Sequence, residues 1–475
     1  MGKVSGQACP YSKACGGCSY QNVSYEEQLS KKQAWVEKLL KGYSKVEPIV
    51  GMAYPYHYRN KVHAVFGQKK GGEIICGTYE AGSHRVVDIP ECLIEDKIST
   101  AIIRDIKDLM RSFKIKPYNE DTGYGLLRHV LIRRGFATGE VMVVLVLGDP
   151  ILPSKNNFVK ALTKLHPEIT TIILNVNDKS TSMVLGEQEK VLYGKGFIVD
   201  ELLGCRFRIS AKSFYQVNPL QTKHLYRKAI SLAGLTGKER VLDAYCGTGT
   251  IGLIAAAEAG EVIGVELNRD AVKDAITNAK QNGITKERFI CADATEYMME
   301  AAGRGEHFDV VFMDPPRAGS TKEFVNGVKQ LAPERVVYIS CNPVTLARDL
   351  KWFAPGDRVE EMQPFDMFPF TEHVETVVLL SQQKADDYVE VELELDELDV
   401  TSAESKATYQ KIKDYVKDRY GVNVHTSYIA QVKRMCGLDM GENYNKSKKE
   451  NQEVKQCPQE KVEYIKDALR HFNLI

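Results

Sequence analysis

Three short stretches of the sequence carry side chains that could do covalent chemistry, and each adjoins an apolar run typical of a buried strand. VVYISCNPVTLARD contains Cys341, FMDPPRAG contains Asp314, and FPFTEHVETVVLLS contains His373 and Glu375. A thiolate at a strand end could add to an electron-poor carbon, and a nearby carboxylate could remove a proton. The alternative for Cys341 is an inert buried thiol, which is common for cysteine.

One chemistry that would need both kinds of group is methyl transfer to C5 of a uracil ring. That carbon is not nucleophilic enough to take a methyl group from a sulfonium, but thiolate addition at C6 produces an enolate that is. The C5 proton must then leave, and His373 and Glu375, which alternate onto one face of a predicted strand start, offer a base. A D-P-P motif followed by an aromatic residue would suggest methylation of an exocyclic amine, but here Arg317 follows.

A glycine-rich turn could hold the cofactor of such a reaction. VLDAYCGTGTIG places Gly247, Gly249 and Gly252 between a predicted strand and a predicted helix, in the pattern G-x-G-x-x-G. Glu266, at the end of the next predicted strand, could accept hydrogen bonds from ribose hydroxyls. A nicotinamide dinucleotide and S-adenosylmethionine would both suit this site, and a purely structural glycine turn is a third alternative.

The elements that must position these residues follow a clear rhythm. From residue 218 to about 381, strands alternate with helices, which predicts a parallel sheet whose carboxyl ends bind ligands. From about residue 55 to 210 the pattern is β-rich, with one helix near KISTAIIRDIKDLMRSF. An amphipathic helix, SYEEQLSKKQAWVEKLLKGY, precedes it. The strands predicted for the parallel sheet are RVLDAYC, EVIGVEL, RFICADA, FDVVFMD and RVVYISC, and those of the β-rich part are RNKVHAVFG, GEIICGTY, LRHVLIRRG, EVMVVLVLG and TTIILNV.

These patterns divide the chain into five predicted parts. The fold class is α/β, with a Rossmann-like domain, a β-rich central domain and a small cysteine-rich amino-terminal segment. The predicted parts are a cysteine-rich segment and helix (1–54), the β-rich central domain (55–213), the Rossmann-like domain (214–384), an acidic linker (385–404) and a helical extension (405–475).

The last two parts leave alternatives open. The acidic stretch ADDYVEVELELDELDVTSAES is either a linker or an edge strand with a solvated face. Beyond it the sequence predicts a helix, a turn at Gly421, a second helix opened by Thr426 or Ser427, and a third helix in VEYIKDALRHF. This extension is either an RNA contact that resembles a helix-turn-helix and uses Lys433 and Arg434, or a packed helical appendage.

Composition excludes some classes of protein. Lysine plus arginine equals aspartate plus glutamate at 63 each, so the chain is not a purely electrostatic nucleic-acid binder. MGKVSGQACPYSK lacks the apolar region of a signal peptide, Gly6 breaks the myristoylation pattern, and the longest apolar run, VMVVLVL, is too short to span a bilayer. We expect a cytoplasmic protein with no membrane partner and no obligate protein partner. Eleven cysteines in such a compartment suggest metal binding or catalysis.

Five motifs, in chain order, carry a family resemblance: SFYQVNP, LDAYCGTGTIG, DPPRAG, YISCNP and FPFTEHVE. They resemble the S-adenosylmethionine-dependent RNA 5-methyluridine methyltransferases, and specifically the 23S rRNA (uracil-5-)-methyltransferase branch, over about residues 9–381. The resemblance implies a class I methyltransferase domain, 23S rRNA as the substrate, Cys341 as the covalent nucleophile and Glu375 as the base. The positions it assigns to the cofactor are Gln216, Tyr245, Gly247, Gly249, Glu266, Asp293 near adenine, and Asp314, with Gln216 and Asp314 close enough to touch the uracil.

Three other functions stay open at this point. A tRNA uracil-C5 methyltransferase would use the same residues on another RNA. A nicotinamide-dependent oxidoreductase would use the glycine turn and Glu266 but leaves Cys341 and Asp314 without roles. A non-catalytic iron–sulfur RNA-binding protein would use only the amino-terminal cysteines and the helical extension.

The amino-terminal cysteines Cys9, Cys15 and Cys18 read C-x5-C-G-G-C, where the double glycine permits a tight turn. Four cysteines in an uneven arrangement suit a 4Fe–4S cluster better than zinc, with free thiols as a further alternative. The branch that the sequence resembles carries such a cluster and takes its fourth ligand from a distant cysteine. Cys92 in DIPECLIED matches that ligand, and Cys76 is the second choice. The methylation needs no electron, so the expected role of the cluster is structural or RNA-contacting.

The sequence departs from the family at its start. Many members begin with an oligonucleotide-binding β-barrel, for which there is no room before Cys9. We therefore expect the β-rich domain, with its basic and aromatic stretches PYHYRNKVH and LRHVLIRRG, or the helical extension, to contact the RNA.

Overall fold

The computed structural model describes residues 9–80, 82–181, 183–354, 356–382, 412–436 and 458–472. The chain forms two compact units, Met1–Asp387 and Tyr388–Ile475. The first contains two seven-stranded sheets and a two-stranded sheet, and the described part of the second is helical. The acidic stretch predicted as a linker or edge strand, 385–404, lies outside the described residues. Along the described ranges, no helix has the length and apolar character needed to cross a bilayer.

The helices and strands are numbered here in chain order. The helices are α1 Ser12–Cys15, α2 Tyr25–Leu39, α3 Lys97–Ser112, α4 Lys155–Leu165, α5 Pro219–Ala233, α6 Thr250–Ala255, α7 Arg269–Gln281, α8 Ala294–Gly303, α9 Lys322–Leu331, α10 Pro343–Phe353, α11 412–420, α12 Thr426–Met435 and α13 Gln459–His471. The strands are β1 Lys61–Gln68, β2 Ile74–Tyr79, β3 Val86–Asp88, β4 Leu127–Arg134, β5 Val141–Leu147, β6 Ile169–Val176, β7 Gln188–Gly194, β8 Ile198–Leu202, β9 Cys205–Ile209, β10 Arg240–Ala244, β11 Glu261–Glu266, β12 Glu287–Cys291, β13 Val310–Met313, β14 Arg335–Ser340, β15 Asp357–Phe365 and β16 Glu375–Gln382.

The first sheet has the strand order β3-β2-β1-β4-β5-β6-β7, and it contains every strand predicted for the β-rich region. Its neighbours are antiparallel except β5 and β6, which run parallel. Parallel neighbours need a crossover connection, and α4 supplies it. The sequence pattern predicts one helix in this region, α3. The prediction is wrong because it omits α4. The apolar side chains of α3 and α4, including Ile106 and Phe158, share one core with the sheet.

The second sheet has the strand order β12-β11-β10-β13-β14-β16-β15. The five strands from β12 to β14 are parallel, and β16 is antiparallel to both of its neighbours. The strand order reverses between β10 and β13, so their carboxyl ends flank the crevice where ligands bind in open α/β sheets. The predicted α/β, Rossmann-like fold class is confirmed.

The amino-terminal segment is attached to β15 at the far edge of the second sheet. Single parallel bridges join Val46 to Met362 and Val50 to Phe365. On α2, the Lys32 ammonium donates to Asp366 at 2.6 Å, with both side chains fully buried. Tyr25 donates its hydroxyl to the other oxygen of the same carboxylate at 2.8 Å. This buried network fixes α2 against the end of β15.

Replacing Lys32 with methionine is expected to lower the free energy of unfolding by about 3 to 5 kcal/mol, because the substitution leaves the buried Asp366 carboxylate without its cation. Chemical denaturation measures this change. Lys31→Met is the matched control, since Lys31 lies on the exposed side of the same helix in an ion pair with Glu27, and it should shift stability by less than about 0.5 kcal/mol. Equal effects of the two substitutions would contradict a stabilising role for the buried pair.

The described part of the second unit consists of α11, α12 and α13, as predicted. Gly421 follows α11 with φ +68°, a backbone conformation that favours glycine. Apolar residues of all three helices, such as Val416, Ile429 and Ile465, form one small core. The helices therefore pack on one another, and an RNA contact through Lys433 and Arg434 stays a prediction.

Candidate active site

The candidate nucleophile, Cys341, lies at the carboxyl edge of the second sheet. It follows β14 directly, and the next residue, Asn342, caps α10 by accepting a hydrogen bond from the Val344 backbone N–H at 3.1 Å. Pro343 occupies the first turn of that helix, where its missing N–H costs nothing. A buried strand on one side and a capped helix on the other thus fix the thiol in position.

Two carboxyl groups come to the same edge from other strands. Asp314 follows β13, the parallel neighbour of β14. Glu375 is the first residue of β16, whose pairing of Thr376 with Ser340 brings it beside Cys341, and it is only 4 % exposed. Sequence positions 314, 341 and 375 therefore meet at one place. The parallel strands β13 and β14 bring Asp314 and Cys341 there, and the antiparallel strand β16 brings Glu375 with its amino end.

The sequence pattern predicts that His373 and Glu375 lie on one face of a strand. This prediction is wrong, because β16 begins only at Glu375. Instead, His373 precedes the strand, and its Nδ1 lies 3.0 Å from the Arg317 guanidinium. Burial lowers the pKa of His373, and the charge of Arg317 adds to the effect. A neutral imidazole that accepts a hydrogen bond from Arg317 fits this environment.

The environment shifts all three reactive groups toward their protonated forms. Burial raises the pKa of the Cys341 thiol to about 12; the charges of Glu375 and Asp314 add to this shift, and Arg317 opposes it. Burial, with the charge of Asp314, raises the pKa of Glu375 to about 8. Burial alone raises the pKa of Asp314 to about 7. Carboxyl groups with these pKa values can exchange protons near neutral pH, which suits acid–base catalysis.

The glycine turn after β10 is held by the carboxylate of Glu266. The Gly247 N–H donates to Glu266 Oε2 at 3.1 Å, and the other carboxylate oxygen accepts from the Asn268 N–H at 2.7 Å. A Cβ added at Gly247 would meet nothing within 4 Å, whereas one at Gly249 would lie 2.9 Å from the Phe289 ring. Gly249 therefore permits close packing, and Gly247 leaves open space over the turn for a ligand.

Three other residues are predicted to contact the cofactor, and two of them, Tyr245 and Asp293, follow strands of the second sheet. Tyr245 follows β10 in a left-handed conformation (φ +63°), with its ring centroid 5.3 Å from that of Phe324. Asp293 follows β12 and caps α8 by accepting from two backbone N–H groups, at 2.8 and 3.1 Å. Gln216 precedes α5, and its carbonyl accepts from the Asn60 amide at 3.1 Å. Their contacts with a cofactor stay predictions.

Tyr226 belongs to this site, although the sequence does not single it out. It lies on α5, is 3 % exposed, and its hydroxyl interacts with the Gln216 side chain. Burial raises its pKa well above the usual value, and the charges of Asp314 and Glu375 add to the effect. Its position in the helix resembles that of any core residue, so no sequence signal distinguishes it. The neutral hydroxyl can orient the Gln216 amide.

A cavity of about 370 Å³ opens on one side of Cys341. Arg317 and His373 line it from the second sheet, and Tyr20 and Trp35 line it from the amino-terminal segment. No motif in the sequence predicts a functional role for these two aromatic residues. The amino-terminal segment therefore completes the surroundings of the nucleophile.

The four cysteines predicted to hold a cluster lie in one neighbourhood. Burial raises the pKa of the Cys18 thiol, and the charges of Cys15 and Cys9 add to this effect. Burial raises the pKa of Cys92 to about 12, and Cys18 contributes a further increase. Cys76 is buried in β2, and the groups that shift its pKa do not include Cys9, Cys15 or Cys18. Cys92 therefore fits the position of the fourth cluster ligand better than Cys76 does. Within the described residues, no three His, Cys, Asp or Glu side chains are grouped as in a metal site.

Comparison with known proteins gives consistent results. The family model described as tRNA (Uracil-5-)-methyltransferase matches residues 24–383. An uncharacterized RNA methyltransferase of Halalkalibacterium halodurans is 43% identical, over 78% of this chain and 82% of its own. One from Caldanaerobacter subterraneus is also 43% identical, over 79% of this chain and 84% of its own. The crystal structure of Pyrococcus abyssi tRNA (uracil-54, C5)-methyltransferase in complex with S-adenosyl-L-homocysteine matches with a TM-score of 0.67 and 31% identity, over 79% of this chain and 87% of that one.

Proposed function

The chain belongs to the tRNA (uracil-5-)-methyltransferase family and is an S-adenosylmethionine-dependent RNA methyltransferase, and we propose that it methylates C5 of a uridine through a covalent adduct of Cys341. The observation that carries the proposal is the meeting of one thiol and two carboxyl groups, Cys341, Glu375 and Asp314, at the carboxyl edge of the sheet. A nicotinamide-dependent oxidoreductase would leave these groups without a role. A non-catalytic RNA-binding protein would not need them.

In the proposed reaction, the target uridine leaves its stack, because C5 and C6 cannot be attacked within one. Cys341 gives up its thiol proton to water, and its Sγ bonds to C6, which makes C5 an enolate carbon. S-adenosylmethionine, when bound, would supply the methyl group: C5 would bond to it as the bond from that methyl group to the sulfonium sulfur breaks, which leaves S-adenosylhomocysteine. Glu375 then removes the C5 proton, and the electrons of that C–H bond restore the C5–C6 double bond as the Sγ–C6 bond breaks.

The residues around the glycine turn suit the cofactor of this reaction. We propose that Gly247 and Gly249 let the backbone approach it and that Glu266 and Asp293 contact its ribose and adenine. Tyr245 and Gln216 would flank the methyl donor, with Asp314 between donor and uracil. The open space over Gly247 supports this arrangement.

Turnover at saturating substrates, measured as release of methylated RNA, should rise about tenfold per pH unit from pH 6 to 7 and level off above pH 8. Glu375 must be ionised to take the C5 proton, and burial raises its pKa to about 8, so its active form is scarce at lower pH. Steady-state release of methylated RNA across this range measures the effect, because Glu375 acts after the methyl group has been transferred. A flat profile would show that another group, or another step, limits the reaction.

For the substrate we propose 23S rRNA, supported by the resemblance of the cysteine motif to that branch. A second candidate is tRNA, which the similarity to the Pyrococcus abyssi enzyme favours. The test is covalent trapping with 5-fluorouridine-substituted 23S rRNA or tRNA and S-adenosylmethionine, since fluorine at C5 cannot leave as a proton. A denaturation-resistant band with rRNA alone supports the first candidate, and one with tRNA alone supports the second. Absence of trapping with both, while the protein binds S-adenosylmethionine, would overturn uracil methylation.

We also propose that Cys9, Cys15, Cys18 and Cys92 hold a 4Fe–4S cluster, which would join the amino-terminal segment to the start of the central domain. Anaerobically purified protein should then contain about four iron and four sulfide ions per chain. Cys92→Ser should lose most of this iron, whereas the control Cys76→Ser should keep it. Zinc in place of iron, or unchanged iron in Cys92→Ser, would refute the assignment.

A further inference from the structure

The cavity beside Cys341 has one wall that the methyltransferase sheet does not provide. Tyr20 and Trp35 form this wall, and both are half-buried, with part of each side chain exposed to the cavity. Arg317 and His373 line the cavity from the sheet. The structure thus places two aromatic side chains and a guanidinium group in one cavity next to the nucleophile.

The aromatic wall is held in a fixed position. The Tyr20 N–H donates to the Phe370 carbonyl at 3.0 Å, and the buried Lys32 ammonium lies 6.0 Å from the centre of the Tyr20 ring. Trp35 follows Lys32 by three positions on α2, so the two side chains lie on neighbouring parts of one helix face. Lys32 is itself anchored to Asp366. The same network that fixes α2 therefore presents both rings to the cavity.

The position of the cavity separates it from the site of the target uracil. The target must bring C6 to Cys341 and C5 toward Glu375, with Asp314 and Gln216 nearby. None of these last three residues lines the cavity, and Cys341 is shared by both sites. The cavity therefore adjoins the nucleophile without including the carboxyl pair, so a group that fills it would lie beside the target uracil.

Building on the proposed function, we infer that Tyr20 and Trp35 stack on an unpaired RNA base adjacent to the target uridine. Aromatic stacking binds single-stranded RNA with little sequence preference, because every base has a π-face. An exposed guanidinium such as that of Arg317 can contact the neighbouring phosphate. The substrate is therefore an unpaired segment in which at least one base beside the target is also unstacked from its neighbours.

Intrinsic fluorescence tests the stacking directly, because the chain has two tryptophans and Trp352→Phe leaves Trp35 alone. An RNA oligonucleotide that carries 5-fluorouridine and is trapped on this variant should quench Trp35. Two further oligonucleotides each lack one base, on the 5′ side or on the 3′ side of the target. The quenching should disappear with one of them, while both should still be trapped. Undiminished quenching with both abasic oligonucleotides would overturn the inference, since Trp35 would then contact the target base itself.

Kinetics supply the second test. Trp35→Leu and Tyr20→Ala should each raise KM for RNA about tenfold and leave kcat and S-adenosylmethionine binding within about twofold, whereas Trp35→Phe and Tyr20→Phe should keep most of the affinity. Trp352→Leu is the matched control for loss of a half-buried tryptophan. Unchanged KM in Trp35→Leu, or an equal loss in Trp352→Leu, would overturn the inference. Failure of the proposed function would appear differently, as no trapping by the unsubstituted protein.

Discussion

Cys341→Ala should abolish the covalent RNA adduct and slow methyl transfer by at least about 10³-fold, because without a thiol C5 of the uracil stays too weak a nucleophile. Alanine fits the strand end, since Cys341 is only half-buried and its neighbours Asn342 and Pro343 still cap the following helix. The fold and S-adenosylmethionine binding should therefore survive. Methyl incorporation from labelled S-adenosylmethionine into the trapping RNA measures the loss.

Cys436→Ala is the matched control, because Cys436 is also half-buried but lies in the second unit. It should keep both the adduct and the rate. If Cys341→Ala still transferred methyl groups at the normal rate, the covalent mechanism would be wrong, whatever RNA is the substrate.

Glu375→Gln should leave the first half of the reaction intact and block the second. Glutamine has the shape of glutamate but cannot take a proton, so C5 keeps both its proton and the new methyl group while Sγ stays bonded to C6. We expect turnover to fall by about 10² to 10⁴-fold. A denaturation-resistant complex should then accumulate with ordinary uridine RNA, which needs no fluorine to trap it. Gel analysis and mass spectrometry of this complex should find the extra methyl group.

Glu372→Gln is the control for a nearby carboxylate. Glu372 lines the cavity but is exposed, and it should turn over normally with no trapped complex. If Glu375→Gln released methylated RNA at the normal rate, another base would have to remove the proton. Asp314 would be the first candidate, since its pKa of about 7 is also suited to proton exchange.

The parts of the fold that local pattern determines were predictable from the sequence. Strands such as VMVVLVL are apolar, rich in β-branched residues and bounded by turn residues, so the local sequence predicts them. The meeting of Asp314 and Cys341 follows from the same pattern, because parallel strands align their carboxyl ends. Helix α4 was not predicted, since its short sequence KNNFVKALTKL buries only two side chains, and the need for it arises from the parallel pairing of its flanking strands.

The remaining features of the site depend on contacts that no local pattern reveals. Lys32 has the sequence context of an exposed helix residue, and its burial depends on the distant partners Asp366 and the Phe368 carbonyl. Tyr20 and Trp35 reach the cavity because that ion pair holds their segment in place. Tyr226 resembles an ordinary core residue until its helix is placed against the strand ends. Contacts between separate segments of the chain decide all of these positions.

The attachment of the amino-terminal segment to β15 also constrains the order of events during synthesis. Lys32 and Asp366 are 334 residues apart, so the ribosome must make almost all of the first unit before α2 can find its partner. Until then, the nascent chain carries a helix with an unpaired lysine on its apolar side and cysteines exposed to oxidants. This segment can thus complete its packing only late, and the delay defines a period in which chaperones can reach those thiols.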